Sequence, residues 1–459
     1  MLSGNMRSLC PLLGVLLGVW LTPARLCAQP AANLTPHSAS VPPAVSPDTR
    51  PSGGGAGTVL PGSFPSPDAP APQARPGEHR GRNVVLVLID GVRQQEWNGQ
   101  ALDENGRKVR LSELFPNLLQ LRKSGIYFPK MQISNPAGVS LPAYADIFAG
   151  RRQEKILSNG PPVADFRSHY PTFFQEIKRQ LGLPFDGVAL HASWTPLCTI
   201  SQTAPIDPKE DFYRSCGFRS NAQSPAQYFK PEVYGGSRTD IDTFLEVMQE
   251  VPKRTPRLLV IHLGDADEEA HLHNKVQSKA GQSYGIFHYH QALRQDDYLL
   301  GRIWAMLQAH PFYRNNTYLF VSTDHGRDSA FDPNQWSSHG RCVAEHVRTK
   351  PCSGCSGIFA VAVGPGLTPH TAKGSYSHVD LAPTIARILN AKLPTATGRV
   401  IREITDTLPL PREEGAAAST PALGKQVSRR RLLRTAQWSL TAPTARLYPS
   451  ARLRASARL

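Results

Sequence analysis

The stretch TYLFVSTDHG, residues 317–326, decides how this chain folds. An apolar run stops at Asp324 and His325. A strand with one wet face would alternate apolar and polar residues, and this one does not. A continuous apolar run of this length suits a strand buried on both faces of a helix-covered parallel sheet.

The same design recurs along the chain, in NVVLVLID (83–90), GVALHAS (187–193), RLLVIHLGDAD (257–267) and GIFAVAVGPG (357–366). Helical patterns separate these runs. LSELFPNLLQLRKSG (111–125) reads as one helix with Ser112 as its cap and Gly125 as its stop. YPTFFQEIKRQLG, TDIDTFLEVMQEV, HQALRQDDYLLGRIWAMLQAH and HVDLAPTIARILN complete the series. Strands alternating with helices predict an α/β protein, a three-layer sandwich around a mainly parallel central sheet.

The flanks read differently. Arg7, the apolar run 9–21 and small residues near Ala28 have the layout of a secretory signal peptide, residues 1–28. Residues 29–81 are rich in Pro, Ala, Gly and Ser and have too little apolar surface to build a core, so they read as a linker. The folded body is expected over 82–412, with a basic tail over 413–459. The net charge of +15 is concentrated in that tail: residues 415–459 hold nine Lys and Arg and no Asp or Glu. The charge therefore gives no reason to expect a nucleic-acid partner for the body. The tail could contact membrane or envelope polyanions. In an exported chain the cysteines are expected to form disulfides. Cys198 with Cys216 is one expected pair, and Cys342 with Cys352 or Cys355 a second.

The chemistry lies in where the polar residues fall. Asp90 ends one predicted strand, Asp265 and Asp267 follow another, and Asp324 and His325 end a third. Ligands of open α/β sheets bind beyond the carboxyl ends of the strands. In DEEAH (267–271), Asp267 and His271 are four residues apart and share one helix face. SSHGR places His339 on a loop. Singly, each has a bland reading: Asp90 as a cap, Asp267 and His271 as a surface pair, His339 as a loop histidine. Together they are clustered carboxylates that need a cation, and mixed oxygen and imidazole donors favour zinc, with manganese or iron as alternatives.

The ordered set resembles the alkaline phosphatase superfamily, and most closely its nucleotide pyrophosphatase/phosphodiesterase-like branch. The resemblance spans about residues 82–395. It rests on a strand ending in IDGV, a Ser-x-Pro motif at Ser140, Asp267-x-x-x-His271, TDHG, then His339-Gly340 ahead of AVGPG, and HVDLAPTIARIL as a closing helix. It implies two divalent ions, zinc or manganese. One would be held by Asp90, Asp324, His325 and the Ser140 oxygen, the other by Asp267, His271 and His339, with His378 as the substitute for His339. It implies Ser140 as nucleophile, a phosphoseryl intermediate, and Asn159 as a donor to the substrate phosphoryl group. The expected activity is hydrolysis of a small-molecule phosphate ester, monoester or diester, in the periplasm or outside the cell.

Three rivals share these residues. A sulfatase would carry formylglycine in a Cys/Ser-x-Pro-x-Arg motif, but SLPAY has Tyr144 where the arginine belongs. A phosphotransferase or mutase would use the same serine with another acceptor. A non-catalytic envelope-binding protein would suit the basic tail, but it would have no need for a complete ligand set.

Overall fold

The structure, a computed structural model, describes residues 81–408 apart from 160–166, 204, 206, 218–236, 274–284, 328–335 and 341–352. The expected signal peptide, the linker up to residue 80 and the basic tail lie outside the described residues, as do Cys342 and Cys352.

The apolar runs form the centre of one sheet. Its strands are β1 (Asn83–Ile89), β2 (Ile126–Gln132), β3 (Val188–Ala192), β4 (Tyr213–Cys216), β5 (Leu258–Leu263), β6 (Thr317–Ser322), β7 (Gly357–Val363), β8 (His370–Thr371) and β9 (Tyr376–Ser377). The order across the sheet is β4-β3-β5-β1-β6-β7-β2-β8, with β9 also paired to β2. The five strands from β4 to β6 are parallel, with Val84 opposite Leu258 on one side and Tyr318 on the other. Strand β7 reads in sequence like its neighbours, yet it runs antiparallel to both β6 and β2.

Each central strand feeds two cores. Val84, Leu86 and Leu88 pack with α2 (Ser140–Ala149), α3 (Phe173–Leu181) and α7 (Leu381–Ile388). Val85, Val87 and Ile89 pack with α1 (Pro116–Ser124), α4 (Asp240–Arg254) and α6 (Gly285–Ala309). The period-2 pleat sends alternate side chains to opposite faces, so a strand covered on both sides must be apolar throughout. Truncating such a residue, for example Leu86→Ala, costs about 2–5 kcal/mol.

Two local expectations are corrected. The predicted helix 111–125 is interrupted at Phe115, where φ is −133°, because Pro116 has no N–H to continue it. Ser112 lies inside the short first piece, whose N-cap position is Arg110. The start of α1 is instead capped from α6: Asp297 accepts from Asn117 N at 2.9 Å and Leu118 N at 2.8 Å. Strands β2 and β4 escaped the sequence reading. In β2, Pro129 and Lys130 interrupt the apolar pattern at a bulge between Phe128 and Met131, where proline is tolerated. Strand β4 has four residues and sits at the sheet edge. It carries half of the Cys198–Cys216 disulfide, which forms as expected.

A buried ion network follows β1. Arg93 Nε donates to both Glu96 oxygens at 3.1 and 3.0 Å, and His290 Nε2 lies 3.1 Å from Oε1. Burial alone would raise the Glu96 pKa. The charge of Arg93 and the His290 hydrogen bond outweigh it and bring the carboxyl down to about 2. A depressed carboxyl contributes stability above its unfolded value and loses it as pH falls through the folded value. The contribution, roughly 3 kcal/mol by this linkage, disappears between about pH 4.5 and 2. Urea unfolding at pH 6 and pH 3 should show the loss. Glu96→Gln should lower stability at pH 6, because it leaves Arg93 unpaired, and should flatten the slope below pH 4.5.

Candidate active site

Because β1, β3, β5 and β6 are parallel, their carboxyl ends share one edge, and the polar residues after them converge there. Asp90 follows β1, and Asp324 and His325 follow β6. Asp267 and His271 lie on α5 (Asp265–Leu272), which begins two residues after β5. Ser140 is the first residue of α2, a ten-residue helix buried along its whole length. The structure brings all seven predicted ligands to this edge.

Ser140 Oγ lies 3.1 Å from His325 Nε2 and donates to Asp90 Oδ1 at 3.5 Å. One ligand atom from each of Asp90, Asp324 and His325 falls within 4.8 Å of the other two, and the same holds for Asp267, His325 and His339. His271 Nε2 joins the second group, 2.9 Å from His339 Nε2 and 3.1 Å from Asp267 Oδ2. The His325 and His339 rings stack at 4.2 Å. His325 thus belongs to both groups, and the cluster is continuous. His378 is elsewhere: it is fully buried against Ser134 and Asp146 as a core histidine. It is therefore not the alternative to His339.

The donor set fits divalent cations. Asp324 is fully buried, and its Oδ2 accepts no hydrogen bond among the described residues. Burial, then the neighbouring Asp324 and Asp267 charges, push Asp90 up to about 6. Burial chiefly, then Asp267, push Asp324 up to about 7. Carboxylates this close need a positive partner. The histidines are set for ligation by their other nitrogens. His325 Nδ1 lies 2.8 Å from Gly326 O and His339 Nδ1 3.3 Å from Gly138 O. A protonated Nδ1 donating to a carbonyl leaves the Nε2 lone pair facing the cluster.

Three residues support the cluster through contacts the sequence did not show. Tyr144, one turn beyond Ser140, donates its hydroxyl to Asp90 Oδ2 at 3.0 Å. His262 of β5 reaches the same oxygen at 3.1 Å through Nε2. Arg327 is fully buried; its guanidinium pairs with Asp267 Oδ1, and its Nε donates to Gly91 O at 3.0 Å. That pairing brings Asp267 well below the usual carboxylate range, against the upward push of burial. Gly91 is fixed by the same crowding: its φ is +65°, and a Cβ there would lie 2.6 Å from Asp267 Oδ1. Its N–H donates to Asp324 Oδ1 at 3.1 Å.

A cavity of about 140 Å³ opens onto the cluster, and its lining includes Asp90, Ser140, Asn159, Asp267, His271, Trp194 and Arg238. Asn159 Oδ1 accepts from Leu141 N at 2.8 Å, so Asn159 both caps α2 and lines the cavity.

The sulfatase family matches residues 82–391. The chain belongs to the sulfatase family. Sulfatases are part of the alkaline phosphatase superfamily that the motif order resembles, and the chain is a hydrolase of that superfamily acting on ester bonds. Among solved structures, it is similar to a phosphonate monoester hydrolase from Silicibacter pomeroyi, at 16% identity over 72% of this chain and 78% of that one, TM-score 0.46. It is also similar to a putative sulfatase from Bacteroides thetaiotaomicron, at 10% identity over 72% and 76%, TM-score 0.47. A third is an alkaline phosphatase superfamily protein from Vibrio parahaemolyticus, at 14% identity over 72% and 71%, TM-score 0.46. No curated protein matches the chain.

Proposed function

We propose that this sulfatase-family protein hydrolyses small-molecule phosphate esters, monoesters or diesters, with an unmodified Ser140 as nucleophile. The observation that carries this reading is Tyr144. It stands where the sulfatase motif has an arginine, and its hydroxyl is spent on Asp90. Three imidazoles in the ligand cluster also favour ions of the zinc class over a hard ion held by oxygens alone. Asp90, Asp324, His325 and Ser140 would hold one ion, and Asp267, His271 and His339 the other, zinc in the first instance and manganese as the alternative.

Bound divalent ions supply positive charge that lowers the pKa of the Ser140 hydroxyl and offsets the phosphoryl oxygens. The chain supplies the geometry. Ser140 Oγ, held by Asp90 and His325, attacks phosphorus; the new Oγ–P bond replaces the bond to the leaving alcohol. Water then breaks the phosphoseryl bond and releases phosphate or a monoester. The N-terminus of α2, beginning at Ser140, favours the negative phosphoryl group. Asn159 is engaged through its acceptor oxygen, so what it offers a substrate oxygen is its amide N–H. Tyr144 and His262 keep Asp90 in one orientation. Tyr144→Phe should therefore weaken metal binding about 10–100-fold, as loss of an outer hydrogen bond to a ligand does. Titration of the chelator-stripped protein with zinc measures this.

The substrate test is one screen of bis-p-nitrophenyl phosphate, p-nitrophenyl phosphate and p-nitrophenyl sulfate on a single metal-analysed sample. Phosphate ester turnover should dominate. Sulfate turnover alone would return the chain to sulfatase chemistry. We place the protein in the periplasm or outside the cell, a reading supported by the Cys198–Cys216 disulfide and the signal-like N-terminus. The body is given no nucleic-acid partner, and the basic tail is assigned to envelope or membrane polyanions.

A further inference from the structure

A second set of donors stands apart from the candidate active site. Glu269 and His273 are four residues apart where α5 ends, and His288 lies in the first turn of α6. One ligand atom from each falls within 4.8 Å of the other two. The spacing separates this set from the active site: 269 and 273 are each two residues from 267 and 271, about 200° around the helix. The two pairs therefore occupy opposite sides of α5.

The local geometry suits an ion better than a simple ion pair. The His273 and His288 rings stack nearly parallel, 10° apart with centroids at 4.0 Å. Two imidazolium rings in that arrangement would repel, so at least one ring is neutral and offers a lone pair. Glu269 Oε2 is buried, with His273 Nδ1 at 2.8 Å and His288 Nδ1 at 4.0 Å. Even so, Oε2 accepts no hydrogen bond among the described residues: His273 Nδ1 is engaged with Glu269 O at 3.3 Å, and His288 Nδ1 lies beyond hydrogen-bond distance of Oε2. Two imidazoles and one carboxylate are a donor set for first-row transition ions. The backbone holds the donors in place independently of any ion. A Cβ at Gly285 would lie 2.3 Å from His273 O, so the start of α6 is packed directly on the end of α5.

We propose that Glu269, His273 and His288 bind an additional divalent transition-metal ion of the zinc class, which ties the end of α5 to the start of α6. Since α5 also carries Asp267 and His271, such an ion braces the helix that presents two candidate active-site ligands. The proposal does not depend on the phosphate-ester reading.

The test counts ions in the full chain. Wild type, the double variant His273→Ala/His288→Ala, and Asp324→Asn are stripped with chelator, reloaded with zinc, desalted and analysed for metal per chain. The double variant should hold one ion fewer than wild type, and combining it with Asp324→Asn should add the two losses. Equal counts in wild type and the double variant would overturn the proposal. If circular dichroism shows the double variant unfolded, the single variants Glu269→Gln and His288→Gln take its place: loss of one ion in both supports the site, and wild-type counts in both refute it. The substrate screen reads the phosphate-ester proposal separately, so either can fail alone.

Discussion

Replacing Ser140 with alanine should abolish hydrolysis of phosphate esters, by at least about a thousandfold in kcat, as expected when a nucleophile is removed. Metal content should change little. Ser140 offers one neutral oxygen, whereas Asp90, Asp324 and His325 remain to hold the ion, with ligand atoms within 4.8 Å of one another. The fold should survive as well, because Ser140 is the first residue of α2 and the helix is anchored by apolar residues from Leu141 to Phe148. Steady-state kinetics and elemental analysis on one preparation separate the two effects. Near-normal turnover by Ser140→Ala would mean that another group attacks phosphorus.

Asp324→Asn should be nearly as damaging, and by a different route. The substitution keeps the shape and can keep the bond from Gly91 N, which now spans 3.1 Å to Oδ1. It removes a charge from a fully buried position, and the variant should lose at least one bound ion per chain together with about a thousandfold of activity. Stability of the metal-free protein should move the opposite way. Burial and Asp267 push Asp324 up to about 7, so its folded pKa lies above the unfolded one. Stability from such a group is present below the unfolded value near 4 and is lost as pH rises through the folded value. Above pH 7 the metal-free wild type bears that cost in full and the asparagine variant does not. Metal-free Asp324→Asn should therefore melt higher than metal-free wild type at pH 8, and metal-loaded wild type should melt higher than both. Calorimetry with and without chelator measures the reversal.

What the sequence made legible follows from local physics. The strands around β1 are readable because burial on both faces demands unbroken apolar runs, and ligands at strand ends announce themselves where such a run stops. Asp90, Asp324 and His325 are of this kind. Asp267 and His271 are readable from helical spacing. Strand β2 is hidden because Pro129 and Lys130 fall at its bulge, and β7 shows that an apolar run does not encode its direction. The cap on α1 is hidden because its donor–acceptor pairs join residues far apart in sequence, Asp297 with Asn117 and Leu118. The supporting shell was legible only in part. His262 is the single polar residue inside LLVIHL, and that irregularity was its only signal. Arg327, directly after TDHG, reads as a surface residue until the fold carries Asp267 and Gly91 to it. Tyr144 was noticed for the arginine it replaces; its bond to Asp90 gives that replacement a physical role.

The most direct test of the account is the mass of the tryptic peptide carrying Ser140, measured after the metal-loaded protein is mixed with bis-p-nitrophenyl phosphate and quenched in acid. An unmodified serine is expected at position 140 before mixing, and after it a p-nitrophenylphosphoryl group on that serine, one p-nitrophenol having left. Formylglycine at position 140, or a phosphoryl group found only on another residue, would contradict the account.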